Sequence, residues 1–385
     1  MPTKTTAGKE AGDRRLFGDE ETALALANAL EYSDEVDRFT HGFHTYPAGL
    51  HPDCARGILD LFPGERVLDP FCGGGTVLVE TRAQGRTAIG RDVSGVAALV
   101  SAMRTATPDD ATLTRFRSTA RKLTETARAA PVVRTGERYE KVKDWYAPVA
   151  FNELESLWAG IQAVEDPHLK TQLLGIFSSI LIKVSWRKSD TSAQRVKHRR
   201  PAGTTAILFH KKARELARRQ VELRAAVDPS APVADIQLAD ARELSLNEKV
   251  DLVLTSPPYP AVYDYLPMQH LRWAWLDSSE GMGWTREIGA RRYWRKGSKK
   301  AKTDWVKDTR KWTQRMGQCL NKGGKLVVVI GDGLTPSGSI DCVAATKTAA
   351  IDAGFKTMAH ASLARPDHAR DSVRWEHIFV FRRIS

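Results

Sequence analysis

Two short segments of the chain combine residue types that could do chemistry. The first, Leu68 to Thr76, reads Leu-Asp-Pro-Phe-Cys-Gly-Gly-Gly-Thr and lies where a strand must turn sharply into a helix. Consecutive glycines permit positive φ and let a ligand approach the backbone closely. The segment contains neither the GK[ST] of ATP-binding loops nor the GxGxxG of dinucleotide folds. It therefore predicts a ligand-binding turn, but of neither of these two kinds.

Two aspartates could complete an adenosine site beside this turn. Asp92 ends the next strand, where an acidic side chain can accept hydrogen bonds from ribose hydroxyls. Asp240 ends the third strand and could accept from an adenine amino group. Each aspartate could instead simply cap the following helix, and this alternative is stronger for Asp240. The pattern indicates an adenosine-like ligand.

The second chemical segment is Thr255-Ser256-Pro257-Pro258-Tyr259, which follows the nearly all-apolar strand 250–254. Two successive prolines end the strand and remove two backbone donors. We therefore expect the carbonyls of Ser256 and Pro257 to face the cavity beyond the strand, where they could accept hydrogen bonds from an amine. The alternative is a strand-ending turn without a chemical role.

Together, DPFCGGGT and TSPPY resemble the paired signatures of the S-adenosylmethionine-dependent DNA amino-methyltransferases, which modify cytosine N4 or adenine N6. The segment FHTYPAGLHPDCARGIL, at 43–59, is similar to the cofactor-side helix of that family. The resemblance implies S-adenosylmethionine as cofactor, double-stranded DNA as partner, and a target base flipped out of the helix. It implies no metal.

The resemblance also implies roles for single residues. The glycine turn would hold the methionine side of the cofactor, and Tyr259 would stack on the flipped base while Ser256 and Pro257 accept hydrogen bonds from its amino group. The candidate catalytic residues are Ser256, Pro257, Pro258 and Tyr259, and the candidate cofactor-binding residues are Asp69, Pro70, Phe71, Cys72, Gly73, Gly75, Thr76, Asp92 and Asp240.

The target base is indicated by Ser256, since serine at this motif position tends to accompany cytosine N4 methylation and aspartate adenine N6 methylation. The leading hypothesis is a site-specific DNA cytosine-N4 methyltransferase of a restriction-modification or defence system, with a restriction or defence protein as a possible partner. Alternatives are an adenine-N6 enzyme, an RNA base methyltransferase, and a degenerate module that only binds nucleic acid.

The elements around the motifs alternate between strand and helix, which is typical of a parallel sheet. With the resemblance they predict an α/β, Rossmann-like class I methyltransferase fold, whose mostly parallel seven-stranded sheet has an antiparallel last strand. We expect a disordered tail over 1–18 and a core divided into 19–107 and 229–385. Between the two parts, residues 108–228 form long charged helical stretches without a convincing strand, which predicts a helical insertion.

Basic segments are candidates for nucleic-acid recognition, since the net charge is +12 and a polyanion would neutralise it. One lies in the helical insertion and the other in a basic insert at 277–313, and both interleave aromatic with positive side chains. The alternative is a solvated basic surface with tryptophans in the core. The candidates are Arg187, Lys188, Arg199, Arg200, Arg291, Arg292, Trp294 and Arg295.

The four cysteines, Cys54, Cys72, Cys319 and Cys342, have no CxxC or histidine-rich spacing, so we expect free thiols and neither disulfides nor zinc. No apolar run approaches the ~20 residues of a membrane helix, and the N-terminus has no secretory pattern. These features predict a cytoplasmic protein.

Overall fold

The predicted alternation of strands and helices forms one central sheet. The computed structural model describes residues 13–32, 36–47, 49–131, 135–276, 286–295, 298–335, 338–367 and 372–384. In this part of the chain the strands are β1 (Arg14–Gly18), β2 (Arg66–Asp69), β3 (Thr87–Asp92), β4 (Arg187–Ser189), β5 (Ser192–Arg195), β6 (Asp235–Leu238), β7 (Val250–Thr255), β8 (Leu320–Gly331), β9 (Gly333–Thr335), β10 (Gly338–Ile340), β11 (Phe355–Asp367) and β12 (Ser372–Arg383).

The helices flank this sheet and fill the segment between its two halves. They are α1 (Glu20–Leu30), α2 (Pro52–Leu61), α3 (Thr76–Ala83), α4 (Gly95–Thr105), α5 (Asp110–Arg128), α6 (Glu137–Val142), α7 (Pro148–Gln162), α8 (Pro167–Val184), α9 (Thr204–Ala226), α10 (Tyr265–Met268), α11 (His270–Leu276), α12 (Arg291–Trp294), α13 (Ser298–Cys319) and α14 (Cys342–Asp352).

The strand order confirms the predicted fold class. The sheet runs β1-β11-β12-β8-β7-β2-β3-β6. Neighbouring strands from β6 to β8 are parallel, whereas β12 is antiparallel to both β8 and β11. Seven strands thus form the expected Rossmann-like sheet with an antiparallel last strand, and β1 is an eighth strand at its edge.

The predicted disordered tail over 1–18 is wrong for its described part. Arg14 to Gly18 pair antiparallel with β11, in register from Arg14 opposite Leu363 to Gly18 opposite Ala359. All five side chains are exposed, so polar composition did not reveal the strand. The pairing depends on backbone hydrogen bonds to an open sheet edge, which do not require apolar side chains. Residues 1–12 lie outside the described part.

Alternating side chains of the strands build a core on each face of the sheet. On one face, Val67, Leu252 and Val329 pack with the apolar sides of α1 and α2. On the other face, Leu68, Val253 and Val328 pack with tryptophans of α13 and with α14. The sheet is therefore buried on both faces, as its nearly continuous apolar strands require.

The segment between α4 and β6 has a hydrophobic core of its own. Helices α5, α7, α8 and α9 contribute buried residues to it, together with α4 and α11. The expectation that this segment contains no strand is wrong, because β4 and β5 form a short hairpin. Its predicted boundaries at 108 and 228 remain predictions.

The four cysteines are buried, free thiols, as expected. Among the described residues, no helix is long and apolar enough to cross a membrane, and no cluster of His, Cys, Asp or Glu side chains is arranged to hold a metal ion.

Candidate active site

The two chemical segments meet because β2 and β7 are parallel neighbours in the sheet. Val67 lies opposite Leu252, and Leu68 lies opposite Val253. Both strands therefore end at the same edge, where the Thr255 hydroxyl donates to Asp69 Oδ1 at 2.7 Å. Asp69 is buried, and this burial raises its pKa to about 7. A buried hydrogen bond thus joins the glycine turn to the start of TSPPY.

The glycine turn adopts the backbone conformation that its composition predicts. Gly73 and Gly75 have φ of +48° and +78°, in the left-handed region that favours glycine. A Cβ atom at Gly73 would lie 3.2 Å from Tyr46 Cε1, so the turn packs closely against this tyrosine. Helix α3 begins immediately after Gly75, without a side-chain cap, and its first backbone N–H groups lie beside the turn.

Asp92 ties the end of β3 to the same turn. Its Oδ2 accepts from the Gly73 N–H at 3.0 Å, and its Oδ1 accepts from the Ser94 N–H at 2.9 Å. Burial raises the pKa of this carboxyl to about 6. Because each carboxylate oxygen has two acceptor sites, Asp92 retains capacity for further donors such as ribose hydroxyls.

Asp240 lies at the same pocket but has little capacity left. Arg242 donates to both of its oxygens, from Nε to Oδ1 at 3.0 Å and from Nη2 to Oδ2 at 2.7 Å. The Arg242 N–H also donates to Oδ1, and Arg286 donates to Oδ2 at 3.4 Å. These guanidinium groups lower the pKa of Asp240 against the opposing effect of burial. The four donors fill the oxygens, which disfavours the predicted contact with an adenine amino group.

A first pocket opens where β2, β3, β6 and β7 end. Most of the predicted cofactor-binding residues line it, with Gly75 beneath the turn as the exception. The lining includes Asp69, Pro70, Phe71, Cys72, Gly73, Thr76, Asp92 and Asp240, together with Ser256 and Pro258. Its largely apolar wall and the carboxylates of Asp69 and Asp92 fit a cationic, adenosine-bearing ligand such as S-adenosylmethionine.

Several residues of this first pocket were not predicted from the sequence. Tyr46 lies in the segment FHTYPAGL, which the family resemblance included without giving the tyrosine a role. Tyr265, the first residue of α10, and Gln269 and Glu287 come from segments after TSPPY that have no recognisable motif. Glu287 Oε1 accepts from the Tyr265 N–H at 2.6 Å, which holds this tyrosine over the pocket.

A second pocket shares Ser256 and Tyr265 with the first. Its wall is rich in aromatic side chains, with Tyr32, Tyr263 and Trp375 beside the predicted Tyr259. Arg365, Asp332 and Glu376 are its charged residues. Flat aromatic faces with a few polar groups are suited to a planar, hydrogen-bonding ligand such as a nucleobase.

Tyr259 reaches across this second pocket. Its ring packs on Gly331, where a Cβ atom would lie only 2.7 Å from Tyr259 Cε2. Its hydroxyl donates to Glu376 Oε1 at 3.1 Å and accepts from Ser256 Oγ at 3.5 Å. Burial holds the pKa of this phenol well above its usual value, which keeps it a hydrogen-bond donor. Pro257 is buried, whereas Pro258 lines the first pocket.

Two predicted nucleic-acid contacts are wrong because their side chains are buried. Arg187 donates to the backbone carbonyls of Ser192, Met268 and Asp190, and so holds the β4–β5 hairpin against α10. Trp294 is 6% exposed and packs in the core beside the sheet. Sequence composition shows that such residues are present in a basic segment, but not which way they face.

The other six candidates lie nearer the surface. Arg292 forms an ion pair with Glu287, and Arg200 donates to His198 and to a backbone carbonyl, so both have structural partners. Arg291 is half exposed and lies 3.5 Å from Asp264. The other three candidates, Lys188, Arg199 and Arg295, are exposed, and their contact with nucleic acid remains a prediction.

No motif in the sequence marks Arg365 or Glu376 as site residues. Arg365 Nε donates to Glu376 Oε2 at 3.0 Å, from the neighbouring strand β11. His377, on the same strand as Glu376, bonds Ser362 and Asp332.

Comparisons with known proteins point to the same chemistry. Residues 43–135 match the RMKL-like, methyltransferase domain family. The chain is 24% identical to the Type II methyltransferase M.MvaI of Kocuria varians over 264 residues, which span 62% of this chain and 58% of that protein. The similarity thus extends over little more than half of the relative.

Two solved structures are similar at 14% identity. The similarity to the rRNA methyltransferase aviRa of Streptomyces viridochromogenes spans 92% of this chain and 94% of that protein, with a TM-score of 0.36. The similarity to TrmN of Thermus thermophilus spans 88% of this chain and 50% of that protein, with a TM-score of 0.33. The sheet order and the family match over residues 43–135 support a methyltransferase with S-adenosylmethionine as its cofactor.

Proposed function

We propose that the chain transfers a methyl group from S-adenosylmethionine to the exocyclic amino group of a nucleic-acid base. The proposed target is cytosine N4 at specific sites in double-stranded DNA, in a restriction-modification or defence system. The similarity to a Type II methyltransferase is consistent with this choice. The observation that carries the proposal is the position of Ser256, which lines both pockets.

Each pocket would hold one reactant. Asp92 accepts hydrogen bonds from the ribose of the cofactor, and the glycine turn contacts its methionine part. The second pocket receives the flipped base, on which Tyr259 stacks. Ser256 lies between the two, so an amino group bonded to its side chain would face the methyl donor. Positioning of the two reactants is then the main contribution of the protein.

The chemistry needs an acceptor beside the amino group. S-adenosylmethionine, when bound, supplies a methyl group that is already activated by its sulfonium. The amino nitrogen of a base is a weak nucleophile because its lone pair is delocalised into the ring. Hydrogen bonds from the amino group to Ser256 Oγ and the Pro257 carbonyl favour a nucleophilic nitrogen. The choice of cytosine over adenine rests on the serine at position 256 and the family resemblance.

The test is the identity of the methylated nucleoside. Purified protein is incubated with S-adenosylmethionine bearing a labelled methyl group and with unmethylated genomic DNA or, in parallel, total RNA. Each polymer is digested to nucleosides and analysed by mass spectrometry. The Ser256→Ala, Pro257→Ala double variant should lose the product. Ser230→Ala, a serine on an exposed turn bonded to Asp228, is the matched control and should retain it.

The outcomes separate the alternatives. Labelled N4-methylcytosine in DNA supports the proposal, and N6-methyladenine would correct the base while preserving the mechanism. A product in RNA alone would correct the polymer. If neither polymer is modified although the cofactor binds, the chain is not a base methyltransferase and a binding-only module becomes the better account.

A further inference from the structure

The second pocket contains an ion pair, Arg365 with Glu376, that has no role in the reaction proposed above. Arg365 Nε donates to Glu376 Oε2 at 3.0 Å, and the two side chains are 30% and 17% exposed. The Arg365 guanidinium also lies 4.5 Å from the centroid of the Tyr32 ring and donates to the backbone carbonyl of Leu30. These contacts fix the guanidinium, and through it the carboxylate, in the pocket wall.

Glu376 ends a chain of hydroxyl groups that begins at Ser256. Ser256 Oγ donates to the Tyr259 hydroxyl at 3.5 Å, and this hydroxyl donates to Glu376 Oε1 at 3.1 Å. A hydroxyl has one hydrogen to donate, whereas an ionised carboxylate can only accept. The tyrosine hydrogen therefore points to Glu376, which leaves the tyrosine oxygen to accept from Ser256.

The direction of these hydrogen bonds decides whether Ser256 accepts a hydrogen bond from a base or donates one to it. With its single hydrogen turned towards Tyr259, Ser256 Oγ presents lone pairs to the pocket and can accept from an amino group. In the opposite direction Tyr259 would donate to Ser256, and the serine hydrogen would point towards the amino hydrogens of the target. Two donors would then face each other, and the hydrogen bond that favours a nucleophilic nitrogen would be lost.

We propose that Glu376 is a positioning residue that sets the direction of the hydrogen bonds from Ser256 through Tyr259. It makes Ser256 an acceptor for the amino group of the target base. The inference rests on the proposed function. Glu376 acts through the Tyr259 hydroxyl, which lies between it and Ser256, and Arg365 holds its carboxylate in place.

Glu376→Gln is the informative variant because it preserves the size of the side chain. Glutamine has one acceptor oxygen, which Arg365 would occupy. The glutamine NH₂ group would then face Tyr259 and reverse the direction of the hydrogen bonds to Ser256. We expect kcat to fall about 10- to 100-fold, less than when a hydrogen-bonding group at a reacting centre is removed outright. The KM for the polymer and the Kd for S-adenosylmethionine should change less than about twofold, because the two carboxylate oxygens of Glu376 are bonded to Tyr259 and Arg365.

A double-mutant cycle with Tyr259→Phe tests the route of the effect. Without the tyrosine hydroxyl, no hydrogen bonds connect residue 376 to Ser256. Glu376→Gln should therefore change kcat less than about threefold in the Tyr259→Phe background. Glu376→Asp, which can only accept, should restore part of the activity. Glu248→Gln is the matched control, since it removes an exposed carboxylate paired with Arg66 and should leave kcat unchanged.

The results distinguish the inference from the function on which it rests. If the wild type methylates a base but Glu376→Gln retains full kcat, or if its loss persists in the Tyr259→Phe background, the positioning role is wrong. A loss in thermal stability that parallels the loss in kcat would likewise assign Glu376 a merely structural role. If the wild type methylates neither DNA nor RNA, the proposed function fails and the inference fails with it.

Discussion

The two pockets that share Ser256 are built in different ways. The largest single contribution to the first comes from one contiguous motif, 69–77, and from backbone groups such as the Gly73 and Ser94 N–H groups that bind Asp92. The second is formed by side chains from distant parts of the chain, including Tyr32 after α1 and Trp375 and Glu376 on β12. Substitutions in the second pocket can therefore change what it accepts without disturbing the first.

The largest effect on cofactor binding is expected from Asp92→Ala in the first pocket. If this carboxylate accepts from the ribose as proposed, its loss should raise the Kd for S-adenosylmethionine about 10- to 100-fold. Isothermal titration calorimetry measures it, with Asp341→Ala, an exposed cap of α14, as the control variant. Polymer binding without cofactor should stay within about twofold. Equal losses of cofactor and polymer affinity would show that the two pockets are not independent.

The converse variant is Trp375→Ala in the second pocket. If its indole helps to hold the base, the KM for the polymer should rise about tenfold, since stacking on an aromatic ring contributes ~1 to 3 kcal/mol per base. The Kd for S-adenosylmethionine should not change. Trp375 also packs under the Arg15 guanidinium at 3.9 Å, so thermal unfolding must be recorded in parallel. A change in cofactor affinity with unchanged KM would contradict the assignment of the pockets.

The first pocket should also respond to pH. Burial raises the pKa of Asp92 to about 6 and of Asp69 to about 7. Ribose hydroxyls and a sulfonium favour the ionised carboxylates, so affinity for S-adenosylmethionine should be high above these pKa values. It should fall as pH drops from 8 to 5, by up to about tenfold per unit between pH 7 and 6 and more steeply below pH 6, where both carboxyls become protonated. Titrations at constant ionic strength measure this. Asp92→Asn should flatten the lower part of the profile, and a flat wild-type profile would argue against the assignment.

The smallest effect concerns the basic surface. Lys188 is exposed, whereas its neighbour Arg187 is buried among carbonyl groups. If Lys188 contacts a phosphate, Lys188→Gln should weaken polymer binding about two- to threefold and reduce the slope of log K against log salt by about 1. Arg187→Ala should lower the melting temperature instead. An unchanged salt slope for Lys188→Gln would place the polymer elsewhere.

The sequence predicts the glycine-turn side of the first pocket because the residues of that turn are adjacent in the chain. The glycines of the turn, Asp92 and TSPPY could be placed at one sheet edge from the strand pattern together with the family resemblance. The second pocket could not be predicted in this way, since Glu376 and Arg365 meet only through the pairing of β11 with β12. Likewise, strand β1 depends on an open edge of the sheet, and the burial of Arg187 and Trp294 depends on packing between distant segments.

The most direct test of the central claim is a comparison of binding and transfer in Ser256→Ala. Ser256 lies between the pockets and is expected to act on the base, so the Kd for S-adenosylmethionine should stay within about threefold of wild type. The single-turnover rate of methyl transfer to the polymer that the wild type methylates should fall at least about 100-fold. A variant that transfers methyl groups at the wild-type rate, or that loses cofactor binding and transfer together, would contradict the placement of Ser256 as the acceptor between the two reactants.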